Sequence, residues 1–285
     1  MSLKIGILGA GSMGGGIAHL AAVKGVEVVL CDLEQRFCDG AVQRISSLMD
    51  KSIEKQKMTV EEKEAALARI STTTKMEDFA AVGLVIEAII EDIEVKKDAF
   101  AQLDKICPPE TILAPNTSSM SITTIASATG RPDKVVGMHF FNPPLVMRLV
   151  EVIRGYYTSD ETVKIASEVA QAMGKTTVEV KKDTPGFIVN RIMMPQFLEA
   201  MRIVEEGIAT PEDVDKAVTL GLNYPMGPFQ LMDFTGVDIA VHVADYFFSE
   251  SKDAKWNPPQ NVKALIRAGR MGMKTGAGWY DHKKK

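Results

Sequence analysis

Short apolar runs alternate with amphipathic stretches along the first two thirds of the chain, and then the alternation stops. Residues 4–8, Lys4-Ile5-Gly6-Ile7-Leu8, are too few for a helix and read as a buried strand. Residues 16–24 have helical composition, with Gly25 as a natural stop after them. Residues 26–31 read as a second strand, closed by Asp32. Residues 41–57 place Ile45, Leu48, Met49 and Ile53 on one helical stripe. A second helix is predicted over 60–69, opened by Thr59 with Glu62 three residues on, the pattern of a capping box. Further strands are predicted at 83–89, 111–114, 135–139, 149–153 and 177–180, completing one sheet. Helices are predicted at 95–103, from near Ile122, and at 161–173.

Around Asp183-Thr184-Pro185-Gly186 the character changes to helix alone. One helix is predicted over 187–206 with Pro195 kinking it. The next follows Thr210 as N-cap and Pro211 at its first position, and a third runs through Asp233 and Val237 to Phe248. A glycine-rich segment, 271–280, ends the fold, and the tail from His282 to Lys285 is expected to fray. The pattern gives a fold class of α/β. It comprises a Rossmann-type dinucleotide-binding domain at 1–184 carrying an inserted helical pair, then an all-α domain at 185–285.

Composition narrows the function. The chain is 46% hydrophobic and 25% charged, as in ordinary globular proteins. A net charge of -4 offers no general basic field for nucleic acid. Cys31, Cys38 and Cys107 are odd in number and lack metal-ligand spacing, so free thiols in a reducing compartment and no metal site are expected. No apolar run reaches the roughly 18 residues of a membrane helix. The strand pattern begins at once, leaving no room for a signal peptide, and a cytoplasmic protein is expected.

Between the first strand and helix lies Gly9-Ala10-Gly11-Ser12-Met13-Gly14, a G-x-G-x-x-G turn, with Asp32 about 20 residues on. Gly9 permits the tight turn, Gly11 lets backbone approach a pyrophosphate, and Gly14 lets helix and strand pack closely. Amide groups at the helix start can receive the phosphates. Asp32 can accept both ribose hydroxyls of NAD and would repel a 2′-phosphate, which favours NAD over NADP.

Candidate chemistry gathers after the later strands. His139 follows an apolar run and precedes Phe140-Phe141-Asn142-Pro143-Pro144, while Glu151 lies inside Leu149-Val150-Glu151-Val152-Ile153. A carboxylate in an apolar strand costs several kcal/mol unless paired, and an imidazole could be that pair. The two are either a general base with its orienting carboxylate or a core histidine and an edge glutamate. Asn116-Thr117-Ser118-Ser119 leaves a core strand just before a helix. Ser119 or Ser121 could cap that helix, which leaves Ser118 for other work. Glu91 and Lys96 are either cofactor neighbours at a strand end or a local ion pair. Lys51 and Lys55 share a helix face that either grips phosphate or is simply solvated. Asn190 is a polar residue in an apolar stretch, and Lys274 could reach an anion or lie on a surface loop. His19 and His242 are expected to be structural, His242 in the core or an interface.

These motifs, together with Leu149-Val150-Glu151-Val152-Ile153, Asp183-Thr184-Pro185-Gly186-Phe187-Ile188-Val189-Asn190-Arg191 and Gly227-Pro228-Phe229, resemble the 3-hydroxyacyl-CoA dehydrogenases over nearly the whole chain. The resemblance is greatest to the short bacterial 3-hydroxybutyryl-CoA dehydrogenases. It implies NAD-dependent interconversion of a 3-hydroxyacyl-CoA and its 3-oxoacyl form. It implies His139 as base, Glu151 as its orienting partner, and Ser118 and Asn190 as contacts to the reacting acyl group. It further implies Gly9, Gly11, Ser12, Met13, Gly14, Asp32, Glu91, Lys96, Asn142 and Lys274 around NAD, Lys51 and Lys55 on CoA, and a homodimer through the helical domain. Pro115, Glu94, Ala277 and Trp279 depart from the family pattern; none touches the proposed base pair. The competing readings are a dehydrogenase for longer or dicarboxylic acyl groups and a non-catalytic, crystallin-like NAD-binding protein.

Overall fold

The computed structural model describes residues 3–282; the rest of the tail expected to fray lies outside the described residues. Two compact units make up the chain, Met1–Thr184 and Pro185–Lys285.

In the first unit, strand β1 (Lys4–Leu8), helix α1 (Ser12–Val23) and strand β2 (Glu27–Cys31) follow the predicted order. Helix α2 (Gln35–Glu54) begins earlier than its apolar stripe and ends before Lys57. Helix α3 (Val60–Leu67) has the predicted capping box: the Glu62 amide donates to the Thr59 hydroxyl, and the Thr59 amide donates to the Glu62 carboxylate. Strand β3 (Ile70–Thr73) was not predicted. Strand β4 (Leu84–Glu87) stops at Glu87, which leaves Glu91 in the connection to helix α4 (Ile93–Ile106). Strand β5 (Ile112–Pro115), helix α5 (Ile122–Ala126), strand β6 (Val136–Phe140), strand β7 (Leu149–Arg154), helix α6 (Asp160–Ala172) and strand β8 (Thr176–Val180) complete the unit.

Among the described residues, five strands form a parallel sheet in the order β3-β2-β1-β4-β5. The single sheet expected from sequence is corrected here. β6, β7 and β8 form a separate three-stranded sheet, with β6 antiparallel to β7 and β8 parallel to it. Among the described residues an isolated parallel bridge between Leu113 and Val135 links the two sheets through backbone. One apolar core nonetheless spans both sheets, with Ile5, Ile86, Ile112, Val136, Val152 and Ala166 all buried in it. Strands buried on both faces read as continuous apolar runs, which is why they were legible in sequence.

The second unit contains α7 (Val189–Glu205), α8 (Pro211–Gly221), α9 (Pro228–Thr235), α10 (Val237–Ser251) and α11 (Gln260–Arg267). Pro195 lies inside α7, and Thr210 caps α8 by accepting from the Asp213 amide. The single helix predicted through Asp233 and Val237 is two helices, separated at Gly236, whose φ of 114° suits glycine alone. α11 was not predicted, and His242 is exposed rather than in the core. Two buried carboxylates organise this unit. Asp215 accepts from the amides of Phe229 and Gln230 and from the Tyr280 hydroxyl. Asp233 accepts from the amides of Trp279 and Tyr280 and from the His282 ring. Several donors per carboxylate offset the cost of burying the charge.

Candidate active site

β6 and β7 set the central pair. Their antiparallel register places His139 directly opposite Glu151, so both side chains leave the same face of the sheet as neighbours. His139 Nδ1 lies 2.7 Å from Glu151 Oε2, with His139 6% exposed and Glu151 fully enclosed. A carboxylate accepts, so Nδ1 donates, and in the neutral ring Nε2 then carries the lone pair. The Phe141 ring packs on the imidazole, with centroids 4.3 Å apart. The distance between the two groups is therefore fixed by strand register, and the proline connection closes that register. The Asn142–Pro143 bond is cis. The Pro143 carbonyl accepts from the amides of Val146 and Met147. The buried ammonium of Lys175 donates to the carbonyls of Pro144 and Met147. Burial, and then nearby Lys24, lower the pKa of Lys175. Nothing in the local pattern marked this lysine as part of the site. Asn142 is exposed beside the turn.

The turn after β5 lies against this pair's strand. Asn116 Oδ1 accepts from the amide of Phe140, the neighbour of His139, at 2.9 Å. The Asn116 amide donates to the Glu87 carbonyl. Ser121, as one of the two predicted alternatives, caps α5 by accepting from the Thr124 amide. Asp183 Oδ2 secures the same turn from the Ser121 hydroxyl and the Thr123 amide, at 2.6 and 2.7 Å. The Ser118 amide donates to Glu91 Oε1, and the Thr117 hydroxyl donates to the same oxygen. Glu91 Oε2 pairs with Lys96 at 3.3 Å. Lys96 is fully buried and lies 2.7 Å from Glu87 Oε1, so its ammonium takes the ion-pair role that sequence left open. Glu87 was missed, although it sits in an apolar run just as Glu151 does. Burial raises its pKa against the opposing effect of Lys96.

The glycine turn fits a dinucleotide. A Cβ on Gly14 would lie 1.8 Å from the Gly9 carbonyl oxygen, and one on Gly9, whose φ is 104°, would lie 2.6 Å from the Ala88 oxygen. Gly11 faces open space, with no atom within 4 Å of the corresponding position. No side chain caps the start of α1 beyond it, so its amides are available for phosphate oxygens. Asp32 accepts from the amides of Ala10 and Leu33, one on each carboxylate oxygen, at 2.6 and 2.7 Å. Those bonds fix the carboxylate at the end of β2, while each oxygen keeps a second lone pair for a ribose hydroxyl. Arg44, not foreseen, reaches from α2 to donate to the Ala10 carbonyl. These residues fit NAD. Gly9, Gly11, Ser12, Met13, Gly14 and Asp32 are thus one local assembly.

Lys51 lies in the last turn of α2 and Lys55 at its C-cap, both exposed. Asn190 lies in the first turn of α7 and Lys274 in a short 3-10 turn, both in the second unit. Lys274 Nζ pairs with Asp238 at 2.6 Å. His19 is buried in α1, and burial lowers its pKa, as suits a structural histidine.

Residues 4–184 match the family model of the 3-hydroxyacyl-CoA dehydrogenase NAD binding domain, and residues 186–282 match that of the C-terminal domain. The chain belongs to the 3-hydroxyacyl-CoA dehydrogenase family. It is therefore an NAD-dependent oxidoreductase. It is 46% identical over 98% of its length to the whole of a probable 3-hydroxybutyryl-CoA dehydrogenase of Deinococcus radiodurans. It is 42% identical over 99% of its length to the whole 3-hydroxybutyryl-CoA dehydrogenase of Clostridioides difficile. The crystal structure of the (S)-3-hydroxybutyryl-CoA dehydrogenase of Ralstonia eutropha superposes with a TM-score of 0.96 at 41% identity, with each chain wholly covered. Among the described residues of this dehydrogenase, no helix is long and apolar enough to cross a membrane, and no cluster of His, Cys, Asp or Glu could hold a metal. Its three cysteines are buried free thiols. Burial pushes Cys31 up to about 12 and Cys107 up to about 11.

Proposed function

We propose that this dehydrogenase interconverts 3-hydroxybutyryl-CoA and acetoacetyl-CoA, with His139 as the base in oxidation and the acid in reduction. The observation that carries the reading is the buried His139–Glu151 pair, 2.7 Å apart on neighbouring strands. The names of full-length relatives support the short acyl chain. NAD supplies the hydride acceptor for the alcohol carbon. Nε2 of His139 takes the hydroxyl proton as the carbonyl forms. Glu151 stabilises the imidazolium that results, at no cost in reorganisation because it is already bonded to Nδ1. Ser118 and Asn190 orient the reacting oxygens. Gly9, Gly11, Ser12, Met13 and Gly14 receive the diphosphate, Asp32 the adenosine ribose, and Glu91, Asn142 and Lys274 the nicotinamide end, with Lys96 acting from behind Glu91. Lys51 and Lys55 grip CoA.

On this reading the 1–184 domain binds NAD, and the 185–285 domain is the helical substrate and dimerisation domain. Exposed Ile192, Ile208, Leu220, Leu222, Phe234 and Ile239 on the second unit support an interface there. Buried thiols suit a cytoplasmic setting.

The test is direct. NADH absorbance should fall when acetoacetyl-CoA is added, more efficiently than with longer or dicarboxylic 3-oxoacyl-CoAs, and more efficiently than when NADPH replaces NADH. Preference for a longer or dicarboxylic substrate would move the assignment to that acyl class. Binding of NADH with no turnover of any acyl-CoA would leave a non-catalytic NAD-binding protein.

A further inference from the structure

We propose that Thr117 is a positioning residue: it locks the Ser118 turn onto a buried chain of charges, Glu87–Lys96–Glu91, that begins at the end of a core strand. This rests on the reading of Ser118 as a substrate contact. The chain starts on rigid backbone. Glu87 is the last residue of β4, fully buried, and its Oε1 accepts from the Ile89 amide at 2.8 Å and from Lys96 at 2.7 Å. Lys96, also fully buried, holds Glu91 Oε2 at 3.3 Å. The other oxygen of Glu91 takes the Thr117 hydroxyl and the Ser118 amide. Glu91 itself is 35% exposed at its side chain, so of these three groups it alone meets solvent.

Thr117 is a buried part of this turn. It is 2% exposed and touches neither member of the base pair through any hydrogen bond in the structure. Its hydroxyl donates to Glu91 and accepts from the amides of Ser119, at 3.3 Å, and Met120, at 3.1 Å. One donor and two acceptor sites are the full capacity of a hydroxyl. The turn is therefore clamped on both sides of Ser118, while Asn116 clamps its start to Phe140 beside His139. Among the described residues the other oxygen of Glu87, Oε2, is buried with no hydrogen-bond partner, which costs free energy. Burial raises the pKa of this group, and Lys96 opposes that effect. Misplacing a reacting contact by about 1 Å can cost about a hundredfold in rate, so a clamp of this kind acts on turnover.

The experiment compares Thr117→Val, which keeps the shape and loses every bond of the hydroxyl, with Thr117→Ser, which keeps the hydroxyl. In the NADH-linked reduction of acetoacetyl-CoA, Thr117→Val should lower kcat at least about tenfold. Thr117→Ser should stay within about threefold of the unaltered enzyme. The Kd for NADH, read by fluorescence, should move less than about threefold in both. Amide hydrogen exchange needs no turnover: residues 118–120 should exchange at least about tenfold faster in Thr117→Val and normally in Thr117→Ser. Unchanged kcat or unchanged exchange in Thr117→Val would overturn the proposal. So would a Thr117→Ser variant as impaired as Thr117→Val, or a loss of NADH affinity as large as the loss of kcat. If Thr117→Val does not fold, Glu91→Ala removes the same anchor from the exposed side; normal exchange at 118–120 in that variant overturns the proposal. An unaltered enzyme that binds NADH but turns over no acetoacetyl-CoA defeats the substrate reading alone, because the exchange comparison still decides the clamp.

Discussion

At the scale of single residues, the enzyme depends on carboxylates placed where carboxylates are costly. His139→Gln and Glu151→Gln each keep roughly the volume of the side chain and remove the proton carrier or its counter-charge. Turnover of acetoacetyl-CoA should fall about a hundredfold or more in either, with NADH binding little changed. Steady-state kinetics beside a fluorescence titration checks both halves; full turnover in His139→Gln would exclude His139 as base, and in Glu151→Gln would exclude Glu151 as its partner. His139→Ala is a poorer test, because it also empties the space the ring fills against Phe141, and the packing loss would cloud the kinetics. The rule that singled out Glu151, a carboxylate within an apolar strand, applies equally to Glu87 in Leu84-Val85-Ile86-Glu87. Glu151 was legible because a histidine stood across a short connection. The partner of Glu87 is Lys96 on the following helix, which the sequence had set beside Glu91 alone; the fold turns it inward to Glu87 as well.

At the scale of elements, connections matter as much as strands. Lys175, at the start of the β8 region, is the tie that holds the Pro144–Met147 connection between the strands of the base pair. Lys175→Met should keep the buried stem and lose the ammonium. The two carbonyls would lose a charged donor, at a cost of about 1.5–3 kcal/mol, and kcat should fall while the register-fixed pair remains. Urea unfolding with the kinetic assay checks this; unchanged stability would mean the ammonium contributes nothing net. Gly14→Ala is the harsher element-level change. Its Cβ would meet the Gly9 oxygen at 1.8 Å, a contact no rotamer can relieve, so α1 must shift. NADH affinity should drop by at least about tenfold, about 1.4 kcal/mol, in a fluorescence titration. Most strands and helices of the first unit were legible because burial on both faces writes continuous apolar runs. β3, Ile-Ser-Thr-Thr at the sheet edge, was not, because it is short and mostly polar. Nor could periodicity say that β6, β7 and β8 form their own sheet, since sheet membership is a matter of pairing rather than of composition. The break between α9 and α10 was hidden because the apolar pattern runs straight through Gly236.

At the scale of the whole molecule, strand alternation ends near Thr184, but the fastening of the C-terminal segment was not legible in sequence. Asp215 and Asp233 look like ordinary acids on helices. Both are buried, and together they collect the amides of Trp279 and Tyr280, the Tyr280 hydroxyl and the His282 ring. Tyr280 gives this fastening a pH signature. Its hydroxyl donates to Asp215 Oδ2 at 2.7 Å. Burial first, then that bond, then the charges of Asp215, Glu212 and Asp233 hold the phenol above its ordinary range. A group whose folded pKa is raised contributes stability that is complete below its unfolded value, about 10 for tyrosine, and that is lost as pH rises beyond it. At neutral pH, Tyr280→Phe should cost about 1.5–3 kcal/mol, the worth of a hydrogen bond to a charged group. Above about pH 10 the unaltered chain should lose stability from this group at up to about 1.4 kcal/mol per pH unit, while the phenylalanine variant lacks that loss. The gap between them should therefore be constant from pH 7 to 9 and narrow above 10. Urea unfolding followed by the fluorescence of Trp256 and Trp279, run at pH 8, 10 and 11, measures it. A gap that stays the same through pH 11 would mean that the phenol titrates alike in both states and that the bond to Asp215 does not hold its proton.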